Sequence, residues 1–535
     1  MIKVYCNANI YTADKNLLFA DFLVTDYNKI VYVGNSSNIS DKSFLDNYLK
    51  IANEVFDLKN KLVLPGFIDS HAHIIMGGFY LLSADLSNVK SKKEFVDVIK
   101  KYVIQNPGKP VYGGNFNQQN WDIKEFPDKS WVDDFTPDIP VFLHRMDYHS
   151  ALANSFVLKL AGITKETPNP EGGEIVKDKI TGEPTGMLKD KAMDLVAELL
   201  PERSEEEYFD ACCATMSIAK KFGVTSIHDI AYKGDFKTYQ KLLKNNKLTV
   251  RIYTRLPIEK CESIINCELE NNFGNDYLKF GGLKAFADGS LGSYTALFFE
   301  PYIDDINAYG LATDIVNNGN LEKWGIYSDN NNLQLSIHAI GDKAISLILD
   351  LAEKISSLNV KRDRRLRIEH SQHINVDDLE RYVKNDVISS MQPYHLFDDG
   401  CWAKSKIGEE RLKTTLAFNS FINKGIKVCF GSDFPVATLN PILGIYAAVT
   451  RHTADGLNPN GIIPEEKISV LQAVNAYTID AAYASFEENI KGSITAGKLA
   501  DFVVLNKNIF EINPNEIKDV YVEKTIFDGN IIYSV

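Results

Sequence analysis

The chain has 535 residues, 45% hydrophobic, 24% charged and 11% aromatic, a globular balance that excludes a disordered or low-complexity protein. That length exceeds one minimal domain and fits a barrel of ordinary size with insertions and a companion domain. The formal charge of -13 sets up an acidic field that repels phosphate backbones and anionic lipid, which argues against nucleic-acid and membrane partners.

The opening, MIKVYCNANIYTADKN, lacks the basic and long apolar regions of a secretory signal, and no run approaches about 18 apolar residues, so a cytoplasmic protein is expected. Residues 1 to about 65 alternate β-rich runs (MIKVYCNANIYTAD, FLVTDYNKIVYVGN) with the turn residues Asp26, Asn28 and Gly34. No long amphipathic helix is evident there, and the pattern predicts a small β-sandwich. The closing stretch, residues 490–535, repeats the style with ADFVVLNKN and DVYVEKTIFDGNIIYSV. Both ends are therefore expected to build one domain beside the rest.

Across residues 66–489, strand-like runs alternate with helical stretches: LVLPGFIDSHAH, GVTSIHDI, TVRIYTRLP, GGLKAFADG, LQLSIHAIG, RLRIEHSQ, DVISSMQPYH and IKVCFGSDFPV. This is the pattern of parallel βα units covered on both faces, and it predicts an α/β fold of the (β/α)8 TIM-barrel type. Among the helices, SEEEYFDACCATMSIAKKFG opens with Ser204 and Glu207 at capping-box spacing and ends at Gly223. GDKAISLILDLAEKISSL and NVDDLERYVKND follow the fifth and sixth strands. Residues 76–203 are far too many for a βα loop. They carry candidate strands (PVYGGNF, PVFLHRM) and a candidate helix (HSALANSFVLKLAG). An inserted subdomain is expected, of the kind that commonly shapes a barrel's active site. The seven cysteines form no CxxC pair and are expected to be reduced and structural.

His71 and His73 in GFIDSHAH stand at i and i+2, so both imidazoles project from one side of a strand and can chelate one ion. An HxH pair alone is weak evidence. Lys284, His338, His370 and Asp433, however, lie in or at the end of other predicted strands that are otherwise largely apolar. A lone buried lysine or aspartate is costly unless paired or ligated. Five strands aiming His, Lys or Asp at one barrel mouth need a common explanation, and a metal centre supplies it.

This set, HxH on strand one, Lys on four, His on five and six and Asp on eight, resembles the binuclear pattern of the amidohydrolase superfamily. PGFIDSHAH and GKLADFVVLN are similar to that superfamily's entry to the barrel and return to the sheet domain. KAFADGSLGSYTA, RMDYHSALANS, GEPTGML and GSDFPVATLNP resemble its family 3 branch, which includes N-substituted formamide deformylase. The resemblance implies that His71, His73 and Asp433 hold one divalent ion and His338 and His370 a second. It also implies that CO2 carboxylates Lys284 to a bridging carbamate, because an ammonium has no lone pair to offer a cation. Zinc suits these ligands, and manganese, iron or cobalt is also accepted.

The function implied is hydrolysis of a non-peptide carbon–nitrogen bond, amide or formamide-like, in a small molecule. A metal-bridging hydroxide would attack, and Asp433 would carry its proton to the leaving amine. His149 and His395 are candidates to bind the substrate, each weighed against a structural hydrogen bond. His228, Asp229 and Asp288 are read as ligand supports or loop caps. A lactonase or phosphotriesterase shares the ligand set. A mononuclear deaminase on the same barrel is disfavoured by Lys284 and by Glu369, which by strand alternation should point away from His370. A scaffold without catalysis would have lost ligands. A homo-oligomer is also compatible with the sequence.

Overall fold

The protein is described from a computed structural model that covers residues 1–535 apart from 119–120, 146–149, 171, 198 and 201. The chain divides into two compact units, Met1–Ile74 with Thr215–Val535, and Ile75–Ala214.

The first unit contains the barrel, whose strands are β1 Phe67–Ala72, β2 Val224–Ile230, β3 Arg251–Pro257, β4 Leu278–Phe286, β5 Leu335–Ala339, β6 Arg367–His370, β7 Ile388–Met391 and β8 Val428–Phe430. Each pairs in parallel with the next, so the eight runs legible in the sequence are the eight strands. Helix Asp342–Leu358 shows why the outer layer is readable: Ala344, Ile345, Ile348, Leu349, Ala352 and Ile355 form its buried stripe. The capping box also forms, with Ser204 N–H 2.8 Å from Glu207 Oε2 and Glu207 N–H 3.2 Å from Ser204 Oγ.

Closure between β8 and β1 is made just beyond the regular pairing. Asp433 N–H donates to the His71 carbonyl at 2.7 Å and His73 N–H to the Phe434 carbonyl at 2.8 Å. Asp69 Oδ1 accepts from the backbone of both His71 and Ser432 at 3.0 Å. A Cβ at Gly431 would sit 2.5 Å from the His71 nitrogen, so only glycine lets the two chains approach this closely. The interior beneath this seam departs from the branched apolar layers usual in such barrels. Ser70, His228, Arg255, Ser336, Arg367, Glu369 and Ser390 are all buried there.

Both chain ends meet in one sheet, ordered Asn530–Ser534, Val522–Phe527, Phe502–Leu505, Glu54–Pro65, Ile2–Tyr11, Phe22–Asp26 and Lys29–Gly34, with Phe19–Ala20 paired to Ile2–Tyr11. The long strands Ile2–Tyr11 and Glu54–Pro65 pair side by side and join the N-terminal hairpin to the C-terminal strands in one hydrogen-bonded sheet, and Ile30 on its last strand shares a core with Phe502 and Ile526. One expectation is corrected here. A helix, Ile39–Ile51, stands where none was evident, its N-terminus capped by Asn38. Its Leu45 and Tyr48 pack on Val4, Phe22 and Val24. None of its residues is fully buried, which is why its apolar stripe is faint in the sequence. Arg251 at the start of β3 joins sheet to barrel, with Nε 2.6 Å from Asp501 Oδ2 and Nη2 3.1 Å from Asp528 Oδ1.

The second unit has its own mixed sheet, Gly173–Lys177, Pro184–Asp190, Ser150–Ala153, Val141–Arg145, Val111–Phe116 and Ala84–Asp85. Trp121 packs with Phe95, Phe116 and Trp131 in the core of this unit. The helix expected over 149–162 is corrected: Ser150–Ala153 is a strand, and helix begins only at Ser155. Asn154 stops the strand by accepting from Val157 N–H at 3.1 Å. Among the described residues no helix is long and apolar enough to cross a membrane.

Candidate metal centre

His71 and His73 lie on and just after β1, and period-two geometry turns both rings the same way. Their Nε2 atoms converge on one oxygen, Asp433 Oδ1, at 3.3 and 3.2 Å. These three side chains are buried and hold their donor atoms within 4.8 Å of one another. A second trio, His370, His395 and Asp433, meets the same limit. One carboxylate therefore sits between two sets of imidazoles. His370 stacks against His395 with ring centroids 6.0 Å apart, and His395 Nε2 lies 3.8 Å from Asp433 Oδ2.

His338 packs edge-to-face on His370 at 4.4 Å. Its Nε2 lies 3.0 Å from the Gly289 carbonyl. A carbonyl only accepts, so Nε2 carries the proton and Nδ1 keeps the lone pair. Asp288, 3.4 Å from the same ring nitrogen, accepts the backbone N–H groups of Leu297, Ile340 and Gly341 at 2.9, 3.0 and 2.9 Å. It pins the loops after β4 and β5, and burial pushes its carboxyl up to about 7. Asp229 plays a similar part after β2, accepting from Ile74 N–H at 2.9 Å and Thr254 Oγ1 at 3.1 Å.

Lys284 is buried on β4, one strand from His338. Its Nζ donates to the Ala285 carbonyl at 3.0 Å and lies 3.6 Å from the Phe286 ring centroid. It belongs to neither donor trio. Burial, with Arg255 and Arg367 nearby, lowers its amine to about 7 despite the opposing pull of Glu369 and Asp433. A large part of it is thus the neutral, nucleophilic amine near neutral pH.

The electrostatics suit cation ligands. Burial, with His338 and His71 beside it, holds His370 well below the usual imidazole range, and burial with Lys284 holds His338 at about 3. Both are neutral lone-pair donors. Burial opposes the Asp433 charge, but hydrogen bonds to the His71 and His73 rings outweigh it and keep the carboxyl well below its ordinary value. His73 Nδ1, His370 Nδ1 and His395 Nε2 are buried with no hydrogen-bond partner among the described residues. Orphaned ring nitrogens around a shared carboxylate are what a polar cluster looks like when divalent cations complete it.

One reading changes. Glu369 does not point away from the centre: its Oε2 lies 2.6 Å from His71 Nδ1, while His370 packs on the same ring at 4.8 Å. The alternation fails because His370 and Ser371 take positive φ, 72° and 46°, which turns the end of β6. Tyr232, unremarked in the sequence, stacks on His73 at 5.7 Å with 17° between planes. Arg255 and Arg367 also went unnoticed, although arginines inside the runs RIYTRLP and RLRIEHSQ were a legible signal. His228 faces Arg367 through Nδ1 at 2.9 Å and belongs to neither donor trio. His149, like Tyr148, is outside the described residues.

A sequence profile of the amidohydrolase family matches residues 54–533. The chain is 38% identical to Protein LONG AFTER FAR-RED 3 of Arabidopsis thaliana, over 94% of this chain and 87% of that one. It is 26% identical to N-substituted formamide deformylase of Arthrobacter pascens, over 98% and 97%. An uncharacterized metal-dependent hydrolase from Pyrococcus furiosus superposes with a TM-score of 0.80 at 26% identity, covering 96% of this chain and 100% of that one.

Proposed function

The chain belongs to the amidohydrolase family, and from that premise we propose that it is a metal-dependent hydrolase cleaving a non-peptide carbon–nitrogen bond of a small molecule. The observation that carries this reading is the buried trio His71, His73 and Asp433, with His370 packed on His71 and His338 packed on His370. His71, His73 and Asp433 would hold one ion, and His338, through the nitrogen left free by Gly289, with His370 would hold a second. The Lys284 amine would attack CO2, forming an N–C bond as one C–O π bond opens and one proton is released, and the carbamate so formed would add anionic oxygen ligands. Zinc fits this donor set, with manganese, iron or cobalt acceptable.

When bound, the two ions acidify a water and polarise the substrate carbonyl. Asp433, ionised between two imidazole sets, takes the proton of the attacking water and returns it to the departing amine, which leaves poorly as an anion. His395, its Nε2 3.8 Å from Asp433 and without a hydrogen-bond partner among the described residues, would hold a substrate carbonyl or carboxylate. The stacked face of Tyr232 gives the site an apolar wall. Glu369, bound to His71 and two arginines, is not free to shuttle protons, which disfavours the deaminase reading.

The test is a hydrolysis screen of the metal-reconstituted protein on formamides, N-acyl amino acids, cyclic amides and lactones. Turnover of amides or formamides that is lost on chelation and restored by zinc is expected. Turnover confined to lactones would move the assignment to carbon–oxygen bonds, and a fully loaded protein inert on every class would contradict it.

A further inference from the structure

We infer that Glu369 is the positioning residue of the first ion site: clamped by Arg255 and Arg367, its carboxylate fixes His71 with Nδ1 as donor and so presents Nε2 to the cation. This rests on the metal-dependent reading above. The geometry is specific. Glu369 Oε2 lies 2.6 Å from His71 Nδ1, while Oε1 lies 2.5 Å from Arg255 Nη1 and 3.0 Å from Arg367 Nε. A carboxylate flanked by two guanidinium groups can only accept, so the proton of the short contact belongs to His71 Nδ1. Once Nε2 turns from Asp433 to a cation, the one N–H of the ring is the Nδ1–H that Glu369 holds.

The clamp itself is held on several sides. Arg255 donates to Ser336 Oγ at 3.1 Å and to the His228 carbonyl at 3.0 Å. Arg367 donates to the Ser70 carbonyl at 2.6 Å and to Ser390 Oγ at 2.9 Å. Strands β1, β2, β3, β5, β6 and β7 thus meet at one carboxylate, and both arginines and Glu369 are fully buried. Stability alone does not account for such a layer, because a buried Arg–Glu–Arg set seldom improves on apolar residues of equal volume. Orienting one imidazole does account for it, since ligand histidines depend on the partner of their second nitrogen. The other half of the centre is held differently: His338 gives its N–H to the neutral carbonyl of Gly289. The two ion sites should therefore respond unequally to loss of the Glu369 charge.

The experiment titrates zinc, against a competing chelator, into metal-free wild type, Glu369→Gln and Glu369→Asp, with folding checked by circular dichroism and melting. Wild type is expected to bind in two steps. Glu369→Gln should weaken one step by about 10- to 100-fold and leave the other in place. Glu369→Asp keeps a charge for the arginines while drawing back from His71, and should weaken the same step. Unchanged steps in the folded Glu369→Asp protein, or equal losses at both, would overturn the inference, the latter because a merely structural role weakens both. If neither variant folds, histidine-labelled wild type decides by NMR. A far-downfield proton on His71 Nδ1, assigned with His71→Asn, supports the inference, and an unprotonated Nδ1 overturns it. Wild type that takes up no zinc fails the metal reading instead, while the NMR result still judges the Glu369–His71 contact.

Discussion

At the scale of single residues, the centre is read most sharply through Asp433 and Lys284. Asparagine at 433 is nearly isosteric but cannot take up a proton. Asp433→Asn should lower kcat by about 10² to 10⁴ with a much smaller change in KM. Metal content of the same sample must be measured, because a variant that keeps both ions and near wild-type kcat would leave Asp433 a ligand only. Lys284→Ala should lower metal content, with partial recovery in short carboxylates that replace the carbamate oxygens. At constant dissolved CO2, reconstitution of the metal-free protein should also accelerate as pH rises through about 7, where the Lys284 amine loses its proton; a rate flat from about pH 6 to 9 under that condition would contradict carbamate formation. These residues were legible because charge inside an apolar strand is expensive. Glu369 was misjudged because a positive φ at His370, 72°, is invisible in a pattern that assumes regular alternation. Arg255 and Arg367 were legible by the same cost argument, because a buried guanidinium calls for a carboxylate such as Glu369 beside it.

At the scale of elements, the barrel strands were readable because both of their faces are buried, as in β2, where every residue is. Helix Ile39–Ile51 was not, since a helix lying on a sheet with no fully buried residue shows little apolar periodicity. The loops after β4 and β5 carry no regular pattern, and Asp288, read in the sequence as a ligand support or loop cap, organises them. Asp288→Ala would leave three buried backbone N–H groups without their acceptor. It should cost about 2–5 kcal/mol of stability and loosen His338, read as a lower melting temperature together with weaker binding of one ion. A variant as stable as wild type would show that Asp288 does not hold these loops.

At the scale of the whole molecule, the shared sheet makes the two chain ends interdependent. Removing residues 496–535 would strip the strands Phe502–Leu505, Val522–Phe527 and Asn530–Ser534, uncover Val63 and Leu64, and leave Arg251 without Asp501 or Asp528. Breaking a buried ion pair of this kind typically costs about 3–5 kcal/mol, so insoluble protein is expected, and a soluble truncated protein with bound metal would refute the coupling. The same fold brings β1, β4, β5, β6 and β8 to one centre around Asp433. Anomalous diffraction from crystals of the zinc-reconstituted protein tests that convergence. Two ions are expected, one touched by His71, His73 and Asp433 and the other by His338 and His370, with extra density on the Lys284 amine between them. A single ion, with an unmodified Lys284 still donating to the Ala285 carbonyl, would contradict it.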